Sequence, residues 1–238
     1  MPPTASLLAA PAPRCTTTVA LPADADPAAD QAGSKKTPYL SDLPPRESGS
    51  YWSATMSDHV IYESRLELAR LLYADFDRAV QSISAQPFLL NVQIEGQLRR
   101  HVPDFLLVTD TGPIVVDVKP RQYLSKEKTA FTLAWCRAAV EDRGWEYEVW
   151  SEPPEAELAN LRLLAGYRRK WLFDRSLLDA LIGADLDGAR VRDVPAVIAE
   201  WPRRLVWAHL LHLIWSHNYS ADLSTVLSGD HVLAKEAS

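Results

Sequence analysis

Apolar and polar positions change their rhythm three times along this chain of 238 residues. Before residue 50 there is almost no apolar period, and nine of the seventeen prolines stand there among Ala, Thr, Ser and Asp. A stretch that buries so little cannot offset its chain entropy, so residues 1–49 read as a disordered Pro/Ala-rich tail. From residue 50 to 152 the punctuation becomes that of a mixed α/β domain. Val60, Ile61, Leu68, Leu71, Leu72 and Phe76 recur at helical spacing behind Ser57 and Asp58, which predicts a helix capped there and running to about residue 76. VQSIS (80–84), FLLNVQI (88–94) and a longer run through HVPDFLLV (101–108) read as strands. A turn through Asp110, Gly112 and Pro113 leads into IVVDVK (114–119), then a helix over 125–142 stopped by Gly144, then the alternating strand WEYEVW (145–150). The predicted order is α-β-β-β-α-β.

After Pro153 the pattern turns helical. Segments 160–173, 176–184, 191–200 and 203–215 read as helices, and 219–235 as two short strands around Ser228, Gly229 and Asp230. Three helices followed by a hairpin is the order of a winged-helix domain, expected here over residues 153–238.

Charge narrows the possibilities. The formal balance is −6, and residues 51–150 hold 11 basic and 14 acidic residues, so no part of the domain resembles a basic clamp that holds nucleic acid by bulk charge. Cys15 and Cys136 stand too far apart for a disulfide framework or a cysteine-based zinc site, which fits a reducing compartment. The apolar run 205–215 is too short to span a bilayer and contains His209 and His212, and the N-terminus lacks the basic start of a secretory signal. A cytoplasmic protein is the expectation. The paired histidines, with no carboxylate or thiol beside them, read as packed core or surface side chains rather than metal ligands, and Trp207 and Trp215 as packing.

The candidate chemistry lies in Pro103-Asp104 and, after twelve intervening residues, Asp117-Val118-Lys119. Alternation along a strand puts Asp117 and Lys119 on one face and Ile114, Val116 and Val118 on the other. Asp104 sits on the preceding strand, close enough for the two carboxylates to converge across the ladder. Converging carboxylates repel unless a cation lies between them, and hard oxygen donors favour Mg²⁺ or Mn²⁺. A lysine beside them can hold an attacking water and offset charge on a phosphate. Both fragments are short enough to arise by chance as a turn residue and a solvated pair; their placement in consecutive strands between two helices is what gives them weight, since that is the element order of the PD-(D/E)xK nuclease fold. A third carboxylate comes from the first helix. With Leu68 at the centre of the buried face, Glu67 lies about 100° away and Glu63 about 140° away, which favours Glu67 over Glu63 as the acid that reaches the sheet.

The segments SRLELA (64–69), AQPFLL (85–90), PDFLLV (103–108) and VDVKP (116–120) resemble, in order and spacing, the nuclease domain of TnsA-like endonuclease subunits of heteromeric transposases. The resemblance implies a restriction-endonuclease-like fold that cuts the 5′ strand at transposon ends, beside a DDE transposase subunit (TnsB-like) that cuts the 3′ strand. Carried over by position, it makes Glu67 the helix glutamate, Asp104 the metal-binding aspartate, Asp117 the second acidic or amide position and Lys119 the lysine. Some members carry glutamine where this chain has Asp117. The implied cofactor is Mg²⁺ or Mn²⁺, one or two ions, held by Glu67, Asp104, Asp117 and the backbone carbonyl of Val118. Implied partners are double-stranded DNA, the transposase and an AAA+ ATPase regulator (TnsC-like), the proteins docking on the C-terminal part, where the helix at 203–215 is too apolar to read DNA. Arg99, Arg100, His101, Arg121, Lys126 and Lys128 flank the site strands as a candidate positive rim for DNA. A stand-alone restriction or repair nuclease and a non-catalytic adaptor are the other two readings. The acidic balance disfavours the first, and the intact Asp104, Asp117 and Lys119 disfavour the second.

Overall fold

The computed structural model describes residues 48–236 and the backbone of one two-residue strand, β1 (Thr16–Thr17). The reading of the tail therefore falls almost wholly outside the described residues. A hairpin of β2 (Gly49–Ser53) and β3 (Asp58–Tyr62) opens the ordered part. The predicted start of the first helix is corrected here. Val60 is buried and Ile61 exposed, a strand alternation, and Ser57 sits in the hairpin turn at φ 51°. Helix α1 (Arg65–Phe76) begins seven residues after Asp58. Its cap is Ser64, whose Oγ accepts from Glu67 N at 3.1 Å while Glu67 reaches back to Ser64 Oγ and Glu63 N, both at 2.8 Å. This reciprocal capping box is written in the sequence as Ser-x-x-Glu. The far end of α1 is tied to the hairpin by buried Asp75, which accepts from Tyr51 Oη, Ser53 Oγ and the amides of Ala54 and Thr55.

Strands β4 (Val80–Ala85), β5 (Leu90–Ile94), β6 (Gln97–His101), β7 (Phe105–Thr109) and β8 (Gly112–Val118) follow. The strand expected to run unbroken from residue 101 to 108 is two strands in different sheets. β5 and β6 form their own hairpin through Glu95 and Gly96, at φ 49° and 75°, the positive angles a two-residue hairpin turn requires. The chain then passes through Pro103 and Asp104 into the main sheet, whose order is β4-β7-β8-β9. Helices α2 (Arg121–Leu124) and α3 (Glu127–Glu141) replace the single helix predicted over 125–142 and carry the chain to β9 (Glu146–Trp150), which lies parallel to β8. The other two pairings are antiparallel, so the sheet is mixed.

The rest is helical: α4 (Glu155–Ala165), α5 (Arg175–Gly183), the short α6 (Val194–Val197) and α7 (Arg203–Trp215), with a two-stranded ribbon of β10 (Tyr219–Ser220) and β11 (Ala234–Lys235). The ribbon strands stand at the outer ends of the segment predicted for them. Helix α7 buries Val206, His209 to Leu213, Ile214 and Trp215. Of the two placements open to its histidines the structure gives the packed one, His209 Nε2 accepting from Asp174 N and His212 Nδ1 donating to Tyr167 O.

Two hydrophobic clusters sandwich the sheet. Ile114, Val116 and Val118 face one that includes Leu71 and Leu72 of α1, Leu164 of α4, Leu177 of α5 and Leu210 and Ile214 of α7. Val115 faces the other, with Leu133, Cys136 and Val140 of α3, Tyr147 of β9 and Val92 of β5. The expected division of β8 into two faces is thus observed. Among the described residues no helix is long and apolar enough to cross a membrane.

Candidate active site

The antiparallel register of β7 and β8 pairs Phe105 with Val116, which sets Asp104 against Asp117 at the end of the ladder. Backbone bonds hold Asp104 on both sides: its N–H donates to Val116 O at 3.0 Å and its carbonyl accepts from Gln86 N at 2.9 Å. Its Oδ2 accepts from Val118 N at 2.6 Å and from Lys119 Nζ at 3.2 Å. The same ammonium lies 3.8 Å from Asp117 Oδ1, so Lys119 bridges the two aspartates. The structure therefore gathers Asp104, Asp117 and Lys119 as the sequence suggested. Glu67 is the looser member. Its two oxygens are taken by the capping box, and it feels Asp104 and Lys119 through charge rather than through a hydrogen bond. Glu63 lies outside α1, where its Oε1 accepts from Gln86 Nε2, so it has no place on the helical face at all, while Glu67 lies beside the cluster.

Burial lifts the Asp104 carboxyl above the usual carboxylate range, with the Asp117 charge adding to it and Lys119 and the Val118 amide opposing. Glu67 is raised in the same direction by burial and by its acidic neighbours Asp104 and Glu63, against its own hydrogen bonds. Asp117 goes the other way. Burial alone would lift it, but the bonds from His101 and Tyr147 and the Lys119 charge outweigh that and hold it ionised. Lys119 loses hydration too, yet Asp104, Asp117 and Glu67 keep it protonated. Two acids whose charge is disfavoured beside a third that is fixed make a site that one lysine does not neutralise. Oxygen donors in such a place fit a hard divalent cation, and Asp104 Oδ1 has no hydrogen-bond partner among the described residues.

Residues 77–152 match the TnsA-like endonuclease N terminal family. The TnsA-like segment takes in β4 to β9 and so includes Asp104, Asp117 and Lys119; it begins just after α1, which carries Glu67. It implies a nuclease of the transposase type. No curated protein matches the chain.

Within the TnsA-like sheet, the two residues that the sequence reading missed are the partners of Asp117. That side chain is wholly buried, its Oδ1 bonded to His101 Nε2 at 2.7 Å and its Oδ2 accepting from Tyr147 Oη at 2.5 Å. Burial and the neighbouring Asp117 charge push the Tyr147 phenol up, which keeps it a donor. The parallel register pairs Tyr147 with Val115, which places it on the Asp117 side of the sheet. That pairing is the signal in WEYEVW that could have found it. His101, assigned to the positive rim, is corrected: it turns inward to Asp117. His101, Asp117 and buried Cys136 bring a nitrogen, an oxygen and a sulfur within 4.8 Å of one another and could hold a metal ion. Burial pushes the Cys136 thiol well up, which works against it as a ligand, and the softer donors suit a transition metal better than Mg²⁺.

The remaining rim residues are exposed but dispersed. Arg99 shares the His101 face of β6 and lies 5.5 Å from the Phe131 ring, while Arg100 points to the opposite face. Arg121 is tied to Glu152 through both its N–H and its guanidinium, Lys126 lies over Tyr123, and Lys128 is exposed on the first turn of α3.

Proposed function

We propose that this chain is the metal-dependent endonuclease subunit of a heteromeric transposase, hydrolysing the 5′ strand at transposon ends during cut-and-paste transposition. The observation that carries the reading is the convergence of Asp104, Asp117 and Lys119 at adjoining strand ends inside the TnsA-like segment. Asp104, Asp117 and the carbonyl of Val118 are the residues that would hold Mg²⁺ or Mn²⁺, one or two ions, with Glu67 completing the set directly or through water. Such an ion supplies a more acidic bound water and charge stabilisation on the phosphate in flight. Tyr147 and His101 fix the rotamer of Asp117, so its carboxylate does not have to be ordered when substrate arrives. Lys119, held protonated between the two aspartates, donates to the attacking water or to a non-bridging phosphate oxygen.

The helical part supports protein docking with a DDE transposase and an AAA+ ATPase rather than DNA reading. Helices α4, α5, the short α6 and α7 precede the ribbon, and α7 spends most of its length in the core, where it presents little surface to DNA. Cleavage is expected in the assembled complex with transposon-end DNA and Mg²⁺. Asp104→Ala and Lys119→Ala proteins of unchanged fold should lose at least about 10²-fold in 5′-strand nicking. Nicking at the wild-type rate by either variant, beside its partners, sinks the mechanism.

A further inference from the structure

Charge is unevenly distributed in the second half of the chain. Residues 151–161 hold three acids and no base, and residues 176–238 hold eight acids against five bases. Between them, residues 162–175 hold Arg162, Arg168, Arg169, Lys170 and Arg175 against Asp174 alone, a net of +4. This island covers the end of α4, a 3-10 turn (Lys170–Leu172) and the first residue of α5.

The island folds onto the β2–β3 hairpin. Arg168 is structural: its Nε donates to Trp52 O at 2.8 Å, another nitrogen reaches Ala165 O, and its guanidinium lies 4.7 Å from the Tyr51 ring. Arg169 is differently placed. Its guanidinium lies 5.4 Å from the Trp52 ring, and its buried Nε has no hydrogen-bond partner. Trp171 meets Trp52 edge to face at 4.7 Å yet remains 64% exposed. Arg162, Arg169 and Lys170 form no ion pair among the described residues, and Arg175 has only Asp179 at 3.9 Å between two exposed side chains. A group of unneutralised cations around a propped, solvent-facing indole is costly on its own account and matches a ligand with repeated negative charge.

Duplex DNA is the occupant that these observations favour. Its phosphates recur at a spacing that several neighbouring cations can meet together, whereas most other surface of this acidic chain repels it. The island is joined to the candidate cluster through α1: Arg168 lies over Tyr51, Tyr51 donates to Asp75, and Asp75 stands eight residues, about 12 Å of helix axis, from Glu67. We propose that Arg169, Lys170 and Trp171, with Arg162 and Arg175 at the margin, are a second contact for duplex DNA, gripping the backbone beside the cut. The contact supplies the positive field that the acidic catalytic part lacks; it rests on the reading that this chain handles DNA.

The test is binding of the full chain to a fluorescein-labelled duplex a few helical turns long, by anisotropy over a salt series in EDTA. Arg169→Glu/Lys170→Glu should weaken binding about tenfold or more at low salt and reduce the slope of log affinity against log salt by about 2. Trp171→Ala should weaken binding and leave the slope unchanged. Arg203→Glu/Arg204→Glu, the same charge change on exposed residues of α7, should stay near wild type. Equal loss in both charge reversals, or no loss in the first, or no binding by the wild type at low salt, overturns the proposal. So does retained DNA binding with lost co-purification of a protein partner, which would mark the island as a dock for an acidic protein surface. Asp104→Ala, which should bind and not cut, separates the two readings: normal binding by the island variants refutes the second contact alone, and a wild type that binds through the island but never cuts transposon-end DNA beside its partners in Mg²⁺ refutes the nuclease alone.

Discussion

Replacing Tyr147 by Phe removes one oxygen and leaves a buried carboxylate short of a donor. In the native site Tyr147 Oη donates to Asp117 Oδ2 at 2.5 Å, and Asp117 has no solvent to turn to. A hydrogen bond to a buried charged group contributes about 1.5–3 kcal/mol, so Tyr147→Phe should cost about 2 kcal/mol. For an ordered part of this size that is a fall of roughly 4–8 °C in Tm. The dependence on pH follows from Asp117, whose pKa is lowered by folding. Its stabilisation is present above its unfolded pKa of about 3.9 and is lost as pH falls through the lower folded value. Without the Tyr147 donor that folded value rises, so the variant should begin losing this contribution at a higher pH than wild type. Urea denaturation followed by tryptophan fluorescence, from neutral pH downwards, measures both effects. The decisive control is Asp117→Ala, alone and with Tyr147→Phe: the double variant should fall short of additivity by about 2 kcal/mol. A cost below about 0.5 kcal/mol, or additive losses, refutes the picture of Asp117 as a charge held in place by Tyr147.

Two further outcomes can be measured on the same protein. Because folding raises the Asp104 and Glu67 pKa values, their favourable contribution is present below their unfolded values of about 4 and is lost as pH rises through the folded ones. Mg²⁺ or Mn²⁺ should therefore raise Tm at pH 7 and do so less as the pH is lowered, with the rise abolished in Asp104→Ala; an equal rise in that variant places the ion elsewhere. Asp75→Ala strips the acceptor from two hydroxyls and two amides and should cost about 3–5 kcal/mol by chemical denaturation, whereas a cost near zero would mean that the hairpin is not pinned to α1 through this side chain.

The parts of the fold that sequence revealed are those where one period persists. The alternation in β8 and β9 and the spacing of α7 are long enough to stand alone, and Asp104, Asp117 and Lys119 could be placed because a hairpin fixes its own register. What failed, failed for physical reasons. Val60 and Ile61 fit both a helical face and a strand, and the helix reading won by continuity with Leu68 although Ser64 and Glu67 already spelled a capping box. The strand Gln97–His101 was hidden because four of its five residues are exposed, so it has no alternation to detect. His101 looked like one more surface cation for the same reason. Its partner is set by a change of sheet at Pro103 and Asp104, a tertiary event with no local sequence period. The island at 162–175 is hidden in the overall balance of −6, since flanking acids cancel it.

The apolar layer beneath β8 has a practical consequence. Val116 and Val118 flank Asp117 and pack in the same cluster as Leu164, Leu210 and Ile214, while Phe76 at the end of α1 packs at a tilt against Trp215 and His217. The chain therefore has no seam at residue 152 along which it could be dissected. A fragment ending there would expose the floor on which the strand carrying Asp117 rests, so loss of function on truncation would report a collapsed support before it reported a missing partner. Exchange of the helical half between relatives would need the underside of β8 to be refitted along with it.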